Sequence, residues 1–506
     1  MQEQVSKLII ECLDDIGFSD DSRVIIHEYL RADLFKNWPT LYQHSISSTN
    51  PMKMYFEGLL EVVNRRCFPL LAEIFGESLD ELHKMMAIHF QSASPSFDDI
   101  LSSFDRNGKE DAIILIVDAY SSCNNFGLDF ENLFKIESNA LDWGKTIFDS
   151  FLPFQKQFES LEMRYLNHQI QKEKLFDPSR LLTFLSIAES SLARFLDFTF
   201  GCVKLNFDDM MENFLTQVIE KGVIHAQHEK SIKGNDPEIG FRVAVEQLKR
   251  CITFHHGLGP FLLSIQERAK NADRVTPCKS SSRALKTLRR DFHVSESHNH
   301  SKSIENSIKL IKRWQTIVLD SLLIPVDVAL DKLCENQLWT NEKSGNDLQF
   351  SFSPLPHITS IGEYMLTLPQ KFDPFSQDEA LSFSLKSLPY VTEDLFTLEN
   401  DESNLSYEAT HIWIISAVRL IESKYVEAIL KISSLSSHGL RQLCADATYL
   451  KNVMAAIEID PQEIFRDIIY AIHLSDSELV EEIGRESIHD LDLLKRVAKM
   501  RSSPSI

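Results

Sequence analysis

The sequence predicts an all-α protein, an elongated rod of stacked irregular helical bundles. Apolar residues recur at i, i+3 and i+4 over long segments, the pattern of helices with one buried face. Only 16 Gly and 17 Pro occur in 506 residues, well under the roughly 7% and 5% of average proteins, so tight turns for hairpins or phosphate loops are few. No fixed-period repeat emerges, so a regular solenoid is disfavoured. A compact globule of this length would have a gyration radius of about 23 Å, whereas ~20-residue helices, each ~30 Å long, stacked end to end reach several times further.

Each element follows from local pattern. Met52, Tyr55, Phe56, Leu59, Leu60, Val63, Cys67 and Phe68 form one helical stripe, and Leu182, Leu185, Leu192 and Phe195 form another within Leu181–Phe200. Phe97 to Gly108 reads as a polar interruption, and a helix is expected to end before Pro260. Arg274 to Arg313 is rich in Ser and His with little early periodicity and reads as a basic linker. Pro354 and Pro356 exclude helix before the next stripe, which runs through Ile358, Ile361, Met365, Leu366 and Leu368 and is expected to stop at Pro369. Gly362 leaves room for a neighbouring backbone. Tyr390 to Thr410 holds six acidic residues and no basic one and reads as an exposed acidic loop. Leu440, Leu443, Leu450, Val453, Met454 and Ile457 form the last stripe. Asp460, Pro461 and Glu463 then suit the cap, first and third positions of a further helix. The domains expected are helical bundles over 1–170 and 171–273, a disordered basic linker over 274–303, and helical bundles over 304–506 with the acidic loop near 390–410.

Composition narrows the function classes. Hydrophobic residues at 43% suffice for buried cores, and 33 Phe against 5 Trp point to large apolar plugs in the seams between helices. The net charge of −22 repels phosphate backbones and an anionic membrane leaflet alike, so nucleic acid is not an expected partner. Eight Cys without a Cys-x-x-Cys spacing suggest reduced thiols rather than a disulfide framework. The first residues, MQEQVSKLIIECLDD, carry too short an apolar run for a secretory signal, and no window reaches a membrane span.

Candidate chemistry is sparse. His225 and His228 sit three apart on one helix face without a third ligand at motif spacing. His255-His256 with Gly257 and Gly259 lack the strand, third glycine and Lys of a phosphate loop. His293, His298 and His300 fall in the expected linker. No nucleophile elbow and no His-Glu-x-x-His motif occur, so no catalytic residue, cofactor or metal is assigned. The segment from Arg274 to Arg313 holds ten Lys or Arg against Asp291, Glu296 and Glu305. A solvated loop is its plainest reading, and docking on anionic lipid or an acidic partner is its functional one.

Two segments carry a family likeness. Ile358-x-x-Ile361-Gly362-x-Tyr364-x-x-x-Leu368-Pro369, then Pro374-Phe375, resembles the carboxyl-terminal signature of the conserved oligomeric Golgi complex subunit 7 family. Ala428-Ile429-Leu430, Leu435-Ser436, Gln442-Leu443-x-x-Asp446, Tyr449-Leu450-x-Asn452-Val453-Met454 and Ala456 resemble it in order and spacing. Upstream the likeness thins to Pro153-Phe154, Glu162 and Leu166, similar to the family's Pro-aromatic step into a helix. The resemblance implies a non-catalytic subunit of a vesicle tether in retrograde intra-Golgi transport, which keeps glycosylation enzymes in their cisternae. It also implies peripheral association with the cytoplasmic face of the Golgi membrane and assembly with subunits 5, 6 and 8. Membrane-fusion and vesicle coat proteins are further candidate partners. By this resemblance, the family's long amino-terminal coiled-coil region, roughly its first third, is expected to be missing from this sequence, which starts directly in bundle-like pattern. A cytosolic helical scaffold that binds other proteins, through the acidic loop from Glu393 to Glu408, is the alternative.

Overall fold

The computed structural model describes residues 51–75, 79–106, 110–134, 143–172, 180–201, 204–228, 237–271, 277–291, 301–334, 353–376, 405–484 and 490–501, with short pieces at 12, 15, 24–29, 31–32, 36, 339, 382, 385 and 388. Among these residues the fold is all-α, as the sequence predicts, with eighteen main helices and no strand. In chain order they are α1 (Pro51–Val62), α2 (Phe68–Phe75), α3 (Leu79–Gln91), α4 (Phe97–Asp105), α5 (Ala112–Leu133), α6 (Lys145–Lys156), α7 (Phe158–Lys172), α8 (Leu181–Thr199) and α9 (Lys204–His228). The second half holds α10 (Pro237–Asn271), α11 (Lys279–Asp291), α12 (Ser301–Cys334), α13 (Pro356–Phe372), α14 (Leu405–Leu430), α15 (Ser437–Ala456), α16 (Glu463–His473), α17 (Asp476–Ile483) and α18 (Leu491–Arg501).

The chain divides into two compact units. The first comprises Met1–Phe176, Leu182–Ile219 and Gly257–Ile304, the second Asp177–Leu181, Glu220–His256 and Glu305–Ile506. These are interleaved in sequence, unlike the consecutive domains that composition suggests. The dividing points at 219/220 and 256/257 fall inside α9 and α10, where no change of composition marks them.

Aromatic plugs fill the core of the first unit. Phe126 and Phe130 of α5 meet Trp143 at 5.6 and 5.1 Å between ring centroids, and Tyr120 meets Phe151 and Phe198 edge-on at 5.2 Å each. Edge-to-face pairs of this kind add about 0.5–1.5 kcal/mol beyond their area. α1 passes into α2 through a π turn over Val63–Cys67, where the Phe68 N–H donates to the Val63 carbonyl. The wider turn lets Pro69, which has no N–H, follow without ending the helix.

Five sequence expectations are corrected here. Phe97 to Asp105 is helix, opened by a capping box in which the Asp99 N–H donates to Ser96 Oγ at 3.1 Å and the Ser96 N–H to Asp99 Oδ2 at 3.3 Å. Its apolar side chains Phe97, Ile100, Leu101 and Phe104 are buried. Pro260 and Pro369 stop nothing, since α10 and α13 run through both. An internal proline costs about 3 kcal/mol, and burial of Leu258, Phe261 and Leu262 in α10 and of Leu368 and Phe372 in α13 offsets it. Pro153 likewise lies inside α6 rather than at a step into a helix. The residues Lys279–Asp291 of the expected linker form α11.

α11 is pinned to the first unit from its first turn. The Cys278 and Lys279 N–H groups donate to Asn124 Oδ1 at 3.1 Å and Glu131 Oε1 at 2.8 Å, and Ser281 Oγ lies 2.5 Å from the Tyr120 hydroxyl. Gly127 of α5 makes room for this approach, because a Cβ there would lie 2.7 Å from Cys278 Sγ. Ser281, Ala284, Leu285 and Leu288 are buried beneath the helix.

Candidate interaction site

The residues of the family likeness build one packing seam in the second unit. Ile358, Ile361, Met365 and Leu368 of α13 and Leu443, Leu450, Val453 and Met454 of α15 are buried. Leu366 and Leu182, expected within their stripes, are 45% and 43% exposed. Gly362 admits the ring of Tyr449, whose Cε1 would lie 2.5 Å from an added Cβ; the close neighbour is a side chain, not the backbone expected. The Tyr364 hydroxyl donates to the Leu322 carbonyl at 2.8 Å and ties α13 to α12.

Two buried carboxylates finish the seam. The Leu355 N–H, at the N-cap of α13, donates to Asp446 Oδ1 at 2.8 Å, and Gln442 Nε2 donates to the same oxygen at 3.0 Å and to the Ser353 carbonyl at 2.9 Å. Burial pushes the Asp446 carboxyl up to about 6 despite the two donors that favour its ionised form. Glu422 of α14 accepts the Gln462 N–H at 2.7 Å, and Gln462 is the N-cap of α16. The capping box expected from Asp460 and Glu463 is therefore replaced by a carboxylate from another helix. Burial raises Glu422 to about 7 against the Gln462 donor and the charges of Arg419 and Arg466. Glu422 gave no sequence signal, since it lies within an apolar helix at no motif spacing.

Beside the seam, α10 and α13 border a groove of about 890 Å³. Phe241 packs edge-on against Phe372 and Phe375 at 5.4 and 6.0 Å. Lys249 sits over the Phe375 ring at 5.2 Å and Lys371 over Tyr364 at 5.5 Å. Glu238, Arg242, Glu246 and Glu363 complete a mixed-charge lining. A second cavity of about 420 Å³, in the first unit, lies between α1 and α5 and includes Lys53, Glu57, Asp118 and Asp129. The groove offers aromatic faces and charges of both signs, a lining suited to holding a protein surface.

The remaining candidates separate. His225 lies on α9, and the His228 side chain is outside the described residues. His255 Nδ1 is 2.7 Å from Ser307 Oγ, and burial followed by the neighbouring His256 holds its pKa below the usual value. Gly257 packs against Leu185 Cδ2, where an added Cβ would be 2.7 Å away. This glycine serves helix packing. His293, His298 and His300, and residues 390–404 of the expected acidic loop, fall outside the described residues, whereas Leu405 to Thr410, also expected in that loop, are instead the first residues of α14. Among the described residues no three His, Cys, Asp or Glu side chains are grouped to hold a metal, and no helix is long and apolar enough to cross a membrane. Upstream, Glu162 of α7 is fully buried and accepts from two Arg194 nitrogens, Nε at 3.1 Å and Nη2.

Residues 266–502 match the family model described as Golgi complex component 7. The chain is 30% identical over 173 residues to conserved oligomeric Golgi complex subunit 7 of Homo sapiens, covering 32% of this chain and 21% of the relative. The Bos taurus protein of that name is 29% identical over 187 residues, 34% of this chain and 23% of its own length. That of Arabidopsis thaliana is 24% identical over 190 residues, 37% of this chain and 21% of its own length. The match thus spans about a fifth of the length of each of these relatives. It bears out, for the carboxyl-terminal part of the chain, the likeness read from Ile358–Phe375 and Ala428–Ala456.

Proposed function

We propose that this chain is a non-catalytic subunit of the conserved oligomeric Golgi complex, acting in vesicle tethering during retrograde intra-Golgi transport and in maintenance of Golgi glycosylation enzymes. The observation that carries this reading is the family match over 266–502, which contains the whole seam of α13 and α15. A binding role accords with the setting of the shifted acids: Asp446 and Glu422 are enclosed by helix packing, each engaged with a helix N-terminus. Sister subunits, with 5, 6 and 8 foremost, are the proposed partners, and the cytoplasmic face of the Golgi membrane the proposed location. We place a sister-subunit contact at the groove between α10 and α13, because aromatic faces flanked by charge are the usual anchors of protein interfaces.

Affinity capture of the tagged full chain from its own cells tests the reading. Sister Golgi subunits are expected in the eluate, and Lys371→Glu with Phe375→Asp is expected to deplete them at unchanged chain abundance. A reproducible partner set without any sister subunit would overturn the tether in favour of a general helical scaffold.

A further inference from the structure

The cationic face of α11 stands apart from every role above. Its buried side is complete, and Lys279, Arg283, Lys286 and Arg289 are all exposed. The first three recur at i, i+4 and i+7, one stripe along the helix. Lys145, also exposed, follows Gly144, whose added Cβ would lie 2.9 Å from Ser280 Cβ. Of the acids beside it, Asp149 lies 3.7 Å from Arg283 and Glu131 accepts the Lys279 N–H.

We propose that this face docks on the surface of an anionic lipid bilayer. Among the described residues, the outward side of α11 carries no exposed large apolar side chain, and neither cavity described above includes one of its residues. An acidic protein segment binds tightly through buried apolar or aromatic anchors set in pockets, whereas an anionic leaflet is a diffuse charged plane that long, flexible cations meet without a pocket. The net charge of −22 does not oppose this at contact, because acids farther than about 8 Å are screened at physiological salt. Each basic residue near such a leaflet strengthens binding by about fivefold.

The proposal rests on charge and geometry and deepens the peripheral association proposed above. Its test is cosedimentation of the purified full chain with vesicles of phosphatidylcholine, alone or with roughly 30% phosphatidylserine, at about 0.1 M salt. Binding is expected to the mixed vesicles only. The triple variant Arg283→Gln/Lys286→Gln/Arg289→Gln is expected to bind about 100-fold more weakly at unchanged helical circular dichroism, while Lys286→Arg retains binding. Absence of binding to the mixed vesicles, or equal binding by the triple variant, overturns the proposal. So does a triple variant that loses polyglutamate binding but keeps the vesicles, which would assign the face to an acidic protein. Because no sister subunit is present, failure here leaves the tether reading to the capture experiment.

Discussion

Single glycines and one glutamate show how steric context sets the sign of a substitution. Gly127→Ala places a Cβ 2.7 Å from Cys278 Sγ and 3.4 Å from Trp143 Cζ2, both buried. The expected outcome is a loss of about 1–3 kcal/mol from overpacking. Gly58, mid-helix in α1, has nothing within 4 Å of an added Cβ. Gly58→Ala should therefore gain about 0.5–1 kcal/mol from helix propensity. Thermal melts of the two variants should move in opposite directions, and a shared direction would contradict the packing described. Glu458 closes α15 with φ of 59°, and its N–H bonds the Ala455 carbonyl while the Ile459 N–H reaches back to Met454. This helix ending prefers glycine, so Glu458→Gly should raise stability by about 0.5–1 kcal/mol. A lower melting temperature would refute that assignment. Sequence made Gly362 legible as a close-approach site but left Gly127 silent, because its neighbour Cys278 lies 151 positions away in the chain.

At the scale of elements, helix starts are decided by two kinds of partner. Local boxes at Ser96–Asp99 and Ser475–Glu478 are written in the sequence, and both acids are held below their usual range first by the serine side chain. α13 and α16 instead take their caps from Asp446 and Glu422, which sit on other helices. Folded-state values of about 6 and about 7 lie above the ordinary carboxylate range. The folded chain therefore binds more protons than the unfolded chain between about pH 4 and 7, and stability falls as pH rises through that window. Asp446→Asn and Glu422→Gln keep an acceptor oxygen and remove the cost of burying charge. Each should gain on the order of 2 kcal/mol at about pH 7.5 and converge on the parent only below the unfolded carboxylate values, at about pH 3.5. Circular dichroism melts across pH check this, and a gain independent of pH would show that the carboxyls do not titrate in that window. Prolines teach the same lesson in reverse: Pro260 and Pro369 are local stop signals that buried faces on the same helices override.

At the scale of the whole molecule, two cores form from segments that alternate along the chain. Helical content, most of the core-facing stripes and the family likeness in the carboxyl-terminal part were determined by sequence alone, because helical periodicity and motif spacing are short-range properties that survive without coordinates. The fate of Arg274–Arg313 was not. The basic side chains of α11 dominated its composition, while Ala284, Leu285 and Leu288 find their partners on helices more than a hundred residues upstream. Only tertiary structure decided the division into units, the carboxylates that cap distant helices, and which charged face remains outward, since each depends on contacts between residues far apart in sequence.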